Sequence, residues 1–185
     1  MAGHSKWAQI KRQKAVTDAV KSRVFARFAR LIALESKKAA GSVSAPALAA
    51  VITRAKAANM PKDNIERAVA KGASKDSGDL EQVVYEAYGP SGTAVIVDAL
   101  TDSRNRTTQA IKLILTQNNL ELAAPGAAAW AFTKSADGSY TPNEPLMDVS
   151  GEDEEKLAGL LSSLDEQEDV QTVYTNARGY ETTRE

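Results

Sequence analysis

The chain has 185 residues, of which 43% are hydrophobic and 25% are charged, and these proportions are typical of a water-soluble protein of one or two domains. It contains no cysteine, which excludes disulfide bonds, thiolate zinc sites and cysteine nucleophiles. The formal net charge of −1 averages two opposite halves: residues 1–75 hold 16 Lys+Arg against 4 Asp+Glu, and residues 76–185 hold 7 against 20. A strongly basic half indicates a polyanionic partner, above all nucleic acid.

Hydropathy along the chain favours a cytoplasmic protein. No apolar run approaches the roughly 18 residues that a membrane-spanning helix needs. The first residues, MAGHSKW, are polar and basic and lack the apolar stretch of a signal peptide. A basic, acid-poor start is also a property of organelle transit peptides, so that alternative stays open.

The first predicted helix begins near Val24 and ends at Gly41. Its apolar residues recur at i, i+4, i+7 and i+8 and form one stripe: Val24, Phe28, Leu31 and Ile32. On a helical wheel the basic residues gather on an adjacent arc of roughly 100°: Arg23, Arg27, Arg30, Lys37 and Lys38. The helix can therefore bury one face and present a cationic face to a partner.

Two further helices are predicted in the basic half. The second starts near Ala45, with Ser44 as its N-cap, and its buried stripe is Leu48, Val51, Ile52 and Ala55. A break at residues 59–61 separates it from a third helix, which Gly72 is expected to stop. The small, polar residues 73–80 follow, where the charge changes sign, and we predict the domain boundary there.

The acidic half alternates strand and helix patterns. The predicted order is strand, strand, helix, strand, helix and strand, over residues 83–88, 93–100, 103–117, 128–133, 152–164 and 170–176. Thr101 or Asp102 is expected to cap the first of these helices, and residues 135–145 are expected to form a long loop. The fold class is therefore predicted as α+β: a basic three-helix domain over residues 1–75, and a ferredoxin-like sandwich over residues 76–185, with two helices on one face of a mainly antiparallel sheet.

The N-terminal run is the first candidate binding segment. Four cations there can neutralise phosphates: Lys6, Lys11, Arg12 and Lys14. Trp7 offers a flat surface that could stack on a base or pack in the helical core. His4, the only histidine, lacks neighbouring carboxylates for a metal site, so we expect it, with Ser5 beside it, to hydrogen-bond a phosphate or the backbone. Lys21, Arg23, Arg27 and Arg30 are expected to contact phosphate as well.

A second candidate segment is the strand-to-helix junction at residues 101–107. Free backbone N–H groups at a helix start, beside Arg104 and Arg106, could hold a phosphate, and an ordinary capped helix explains the same residues. The acidic residues 148–155 and 165–169 lack the spacing of a calcium loop and are expected to lie on a solvated helix face. We predict no catalytic residue, metal or cofactor, because no set of residues combines acid–base groups with a phosphate cradle.

Several long segments of the sequence closely resemble the YebC/PmpR family. The resemblance covers the start of the chain, MAGHSKW, then residues 57–68, 88–92 and 101–107, and the segment DVQTVYTN at residues 169–176. It implies a cytoplasmic nucleic-acid-binding regulator: a transcriptional regulator, or a ribosome-associated translation factor like the mitochondrial translational activators. It also implies a basic helical domain followed by two α/β domains, the third inserted within the second.

The sequence departs from that family pattern after residue 133. Only residues 134–149 separate the predicted strand from the next helix, so we expect the inserted third domain to be absent. Gln13 also stands where relatives often carry a basic residue or histidine. The function predicted is a DNA-binding transcriptional regulator. The alternatives are a factor bound to ribosomal RNA or the ribosome, and a module that docks on an acidic protein or a second copy. The oligomeric state stays open.

Overall fold

The computed structural model describes residues 18–74 and 78–180, and all structural statements refer to these ranges. Contacts between residues divide these ranges into two compact units, and the boundary along the chain falls between residues 81 and 82. The N-terminal unit is called the helical unit and the C-terminal unit the sheet unit. No helix within the two described ranges is long and apolar enough to cross a membrane.

Three helices form the helical unit, as predicted: α1, Asp18–Lys38; α2, Pro46–Ala57; and α3, Lys62–Ala73. Both α2 and α3 pack against α1, whereas they touch each other little. The core is built from apolar side chains of all three helices and of the turn before α3: Ile32, Leu48, Val51, Ala55, Met60, Ile65 and Ala68. Burial of these side chains is what holds the short helices in place, because helices of this length are marginal in isolation.

The ends of α2 and α3 differ from the sequence prediction. Ala45, not Ser44, is the N-cap of α2, and no side chain caps it. The Ser44 hydroxyl lies 3.0 Å from that of Ser42 instead. Pro46 at the first helical position supplies a fixed φ without losing a hydrogen bond, so α2 needs no side-chain cap.

Gly72 does not stop α3 but lies buried inside it. A Cβ at this position would lie 2.2 Å from the carbonyl oxygen of Ala33 and 2.8 Å from the Cβ of Ser36, both on α1. The Ser36 hydroxyl donates to the carbonyl oxygen of Val69 at 2.7 Å, beside the same contact. The glycine is therefore required for the close approach of two helices rather than for chain termination.

The sheet unit contains five strands and two helices. These are β1, Glu81–Tyr88; β2, Ala94–Thr101; α4, Arg104–Gln117; β3, Phe132–Lys134; β4, Tyr140–Pro142; α5, Gly151–Glu166; and β5, Val170–Thr175. The main sheet has the order β1-β2-β5. Strand β5 runs antiparallel to β2, with Val173 opposite Val97 and an irregularity between Asp98 and Ala99. The predicted α+β class is confirmed, including the two helices on one face of the sheet.

Alternating residues of the main sheet face two separate hydrophobic clusters. Val95, Val97 and Ala99 pack with leucines of α4 and α5 on one face. Ala94 and Ile96 pack on the other face against residues that precede and begin β3: Ala128, Ala131 and Phe132. This two-residue period is the reason that β2 is buried along nearly its whole length.

The predicted strand at residues 128–133 and the predicted loop at residues 135–145 are both wrong in part. A 3-10 turn occupies Ala129–Ala131, and only then does β3 begin and pair with β4, which lies within the predicted loop. The cause is the buried carboxylate of Glu86, which accepts the N–H groups of Ala128 at 2.7 Å and Ala129 at 2.9 Å. Those donors are not available to a strand ladder.

Candidate nucleic-acid interface

The predicted site divides between described and undescribed residues. His4, Ser5, Lys6, Trp7, Lys11, Arg12 and Lys14 lie outside the described ranges. The remaining six predicted residues are placed by the structure: Lys21, Arg23, Arg27 and Arg30 on α1, and Arg104 and Arg106 at the start of α4. The two groups lie in different units.

The cationic arc of α1 lies nearly opposite the line of residues that faces the core. The centre of that line is Phe25, Ala29, Ile32 and Ser36, which lie within about 60° of one another on the helical wheel, and Phe28 and Leu31 pack against the core beside it. Lys21 is exposed, whereas Arg23, Arg27 and Arg30 are half-buried, and each arginine takes part in at least one polar, ring or electrostatic contact. Each of the three arginine side chains is therefore partly covered by other residues.

Two cations at the C-terminal end of the arc form ion pairs. Lys37 pairs with Asp79, and this hydrogen bond and charge lower the pKa of the Asp79 carboxyl. Lys38 pairs with Glu35 at 2.7 Å. Exposed pairs of this kind are weak and screened by salt, so a polyanion can compete with the carboxylates for both lysines.

The structure adds exposed cations that the sequence analysis did not include in the site. They lie on α2 and α3: Arg54, Lys56, Lys62, Arg67 and Lys71. The Arg54 guanidinium lies 6.0 Å from the centre of the Phe28 ring of α1, which joins α2 to the edge of the α1 surface. Their positions off the apolar stripes were visible in the sequence, but the packing of three helices into one unit was needed to group them.

Charge differs sharply between the two described ranges, and the helical unit, which ends at residue 81, takes only Asp79 and Glu81 from the acidic range. Residues 18–74 carry 11 Lys+Arg against 4 Asp+Glu, a net of +7. Residues 78–180 carry 6 against 17, a net of −11. The helical unit therefore attracts polyanions and the sheet unit repels them.

The predicted phosphate site at residues 101–107 contains a network of side chains. Arg106 lies 2.8 Å from Asp102 and 3.2 Å from the buried Asp169, and hydrogen bonds with Asp169 and then Asp102 raise its pKa. Thr107 donates to Asp169 at 2.7 Å. The guanidinium of Arg106, which was predicted to bind phosphate, is thus paired with two carboxylates. Arg104 is exposed.

The expected caps of α4 are corrected by the same network. The N-cap is Ser103 and not Thr101 or Asp102. Thr101 is buried; its hydroxyl oxygen accepts the Ser103 N–H at 2.9 Å and lies 2.8 Å from the Thr107 hydroxyl oxygen. Thr101 therefore fixes the turn that leads into the helix without capping it.

The family of the chain follows from comparisons with known proteins. Residues 5–75 match the pattern of the TACO1/YebC protein N-terminal domain, and residues 80–136 match that of the TACO1/YebC second and third domain. A probable transcriptional regulatory protein from a Francisella tularensis strain is 40% identical over 185 residues, which are 97% of this chain and 73% of that protein. The chain belongs to the TACO1/YebC family.

Other relatives carry the same description. A probable transcriptional regulatory protein from Trichodesmium erythraeum is 42% identical over 89% of this chain and 67% of its own length. One from Nostoc is 47% identical over 71% of this chain and 54% of its own length. The chain thus spans about half to three quarters of the length of these TACO1/YebC relatives.

A solved structure supports the same fold. The crystal structure of a conserved hypothetical protein, Aq1575, from Aquifex aeolicus superposes with a TM-score of 0.77 at 26% identity. The match covers 87% of this chain and 91% of that chain.

Proposed function

We propose that this chain is a regulator of gene expression that binds nucleic acid through its helical unit, with DNA as the expected target. The TACO1/YebC relatives are described as probable transcriptional regulatory proteins, which supports a regulator. The observation that carries the binding proposal is the net of +7 over residues 18–74 beside a net of −11 over residues 78–180. A surface with that charge gains affinity by releasing the counterions of a phosphate backbone.

The residues proposed to contact phosphate are cations of the helical unit and of the segment before it. They are Lys6, Lys11, Arg12, Lys14, Lys21, Arg23, Arg27 and Arg30, joined by Arg54, Lys56, Arg67 and Lys71. Contacts from lysine and arginine to phosphate position a protein without reading sequence. We therefore expect affinity to depend strongly on salt and weakly on base sequence.

The test is a salt titration of duplex binding with two double charge reversals in the helical unit and a third, in the sheet unit, as the control. Arg27→Glu with Arg30→Glu should abolish binding, and Lys21→Glu with Lys71→Glu, at exposed positions, should weaken it with little risk to folding. Lys112→Glu with Lys134→Glu makes the same charge change in the sheet unit and should have a much smaller effect. Salt-independent binding, or equal effects of all three pairs, would refute the proposal.

Ribosomal RNA is the alternative target because it presents the same phosphate chemistry to the same cations. Crosslinking in cells, followed by sequencing of the bound nucleic acid, separates the two. Promoter DNA among the crosslinked fragments supports the transcriptional role, whereas ribosomal RNA alone assigns the helical unit to the ribosome.

We also propose that the family's inserted third domain is absent from this chain between residues 134 and 149. In support, that segment forms β4 and then a connection fastened to the sheet unit. The Met147 N–H donates to the Asn176 carbonyl at 2.8 Å, and the Arg178 N–H donates to the Met147 carbonyl at 2.8 Å. Limited proteolysis should therefore cut near residues 73–80, between the proposed domains, before it cuts within residues 134–149.

A further inference from the structure

An apolar groove lies between α2 and α3 in the helical unit. Both helices pack on α1 and contact each other little, and residues of both line a groove with a volume of about 500 Å³. Its walls are Ile52 on α2 and Ile65 and Val69 on α3, with Met60 between the two helices. Three bulky side chains could enter it, since a cavity of about 150 Å³ is enough to hold one benzene ring.

The mouth of the groove combines an exposed apolar residue with cations. Val43, in the turn before α2, is 58% exposed and lines the groove. Lys56 and Lys62 lie at the rim, and Lys62 Nζ is 3.4 Å from Glu66 in an exposed ion pair. An apolar cleft rimmed by charge marks a binding surface more often than a packing defect.

We propose that this groove binds an acidic, amphipathic helix of a partner protein. A third helix placed between two splayed helices buries apolar side chains at i, i+3 or i+4 and i+7, which is a recurrent mode of peptide recognition. Charge selects an acidic partner, because the rim carries two lysines against one glutamate, Glu66, and residues 18–74 have a net charge of +7.

Nucleic acid fits this groove poorly. The walls formed by residues of the described ranges are aliphatic, with no aromatic ring among them on which a base could stack, and phosphates gain nothing from an apolar floor. The groove therefore adds a protein-binding surface to the proposed phosphate-binding surface of the same unit. Because the two surfaces use different residues at their centres, failure of one proposal leaves the other testable.

The probe is a pool of peptides of about 16 residues, with Leu, Ile, Met or Phe at four positions of one helical face and Glu at the flanking positions. Retention on the immobilised chain is measured by mass spectrometry, and affinity of the retained peptides by fluorescence anisotropy. Two control pools replace the four apolar residues by Ser, or the glutamates by Lys. We expect retention of the first pool only.

Matched variants locate the binding. Val43→Glu, at an exposed position of the groove, and Lys56→Glu, at its rim, should each weaken peptide binding about tenfold or more. Ala50→Glu and Lys71→Glu make the same charge changes at exposed positions outside the groove and should weaken peptide binding much less. Val43→Glu should leave the salt slope of duplex binding unchanged.

Three results would overturn the proposal: retention of no peptide from the acidic pool, equal retention of the lysine pool, or equal effects of Val43→Glu and Ala50→Glu. If duplex binding is lost in the charge-reversed Arg27 and Arg30 variant while peptide binding persists, the two surfaces are independent. Loss of peptide binding in the Val43→Glu variant while duplex binding persists supports the same conclusion.

Discussion

The guanidinium of Arg106 lies 3.2 Å from the carboxylate of Asp169, which is 63 positions later in the chain. Asp169 is only 2% exposed, and it also accepts the hydroxyl of Thr107. The pair joins the first turn of α4 to the residue just before β5. A buried carboxylate with these partners holds the helix start against the sheet edge.

We expect Asp169→Ala to lower the free energy of unfolding by about 2 kcal/mol, because the Thr107 hydroxyl loses its buried acceptor. Arg106→Gln should lower the melting temperature less, since Arg106 is largely exposed. Calorimetry measures both. If Arg106→Gln instead left stability unchanged and weakened duplex binding, the guanidinium would be a phosphate ligand rather than a partner of Asp169.

Gly72→Ala should destabilise the helical unit by about 2 kcal/mol, because the new methyl group would overlap the Ala33 carbonyl oxygen. The matched control is Gly159→Ala, in α5, where a Cβ meets no atom within 4 Å. The control should stabilise the protein by about 1 kcal/mol, as expected for glycine in a helix interior. Equal effects of the two substitutions, measured by thermal unfolding, would contradict the close approach of α1 and α3.

Stability should depend on pH through Asp98. Burial raises the pKa of its carboxyl above the ordinary 3.8, against the opposing effects of a hydrogen bond from Gln82 and the charge of Lys134. The folded chain therefore keeps this proton to a higher pH than the unfolded chain. The contribution of Asp98 to stability falls as the pH rises above 3.8 and is regained as the pH falls through the raised pKa.

Asp98→Asn removes this dependence and keeps an acceptor for Gln82, which donates to Asp98 Oδ1 at 2.9 Å. The variant should melt at a higher temperature than the original chain at about pH 7, and the difference should shrink at about pH 4. A difference in melting temperature that is the same at both pH values would show that the carboxyl is not desolvated.

Tyr180→Phe should stabilise the sheet unit by about 1 kcal/mol, because the buried Tyr180 hydroxyl has no hydrogen-bond partner within the described ranges. Burial, with a smaller effect of Glu154, raises the pKa of Tyr180 to about 12. Above about pH 10 the unfolded chain ionises first, so stability falls as the pH rises. The phenylalanine variant should lose less stability between about pH 8 and about pH 11 in urea unfolding.

Sequence periodicity was sufficient to predict the buried residues of helices that bury one regular face. The leucines predicted to line one side of α5, Leu157, Leu160, Leu161 and Leu164, are all buried. In α1 the same reasoning found Phe28, Leu31 and Ile32, which all pack in the core, but it included Val24 and left out Phe25, which packs against the core. Several wheel positions are equally apolar there, and only the packing of α2 and α3 selects among them.

Features that depend on contacts distant in sequence could not be predicted. Gly72 is indistinguishable from a helix stop until α1 is placed against it, and the strand prediction at residues 128–133 failed because Glu86 lies some 40 positions earlier. The groove is another case, since its walls come from two helices and a turn. Cationic residues of α1 were predicted as candidates from the helical wheel, but Arg54 was grouped with them only by its position over Phe28.

The contact at Gly72 also determines which wall of the groove can move. Because Gly72 has no side chain, α3 lies in direct contact with the α1 backbone there, and the Ser36 hydroxyl bonds to Val69 beside it, so these two helices are held closely together. The other wall, α2, is flanked by turns with positive φ, 81° at Gly41 and 62° at Asn59. We therefore expect α3 to stay in place when a partner enters the groove, and any adjustment of the groove to come from α2, which lies between these two turns.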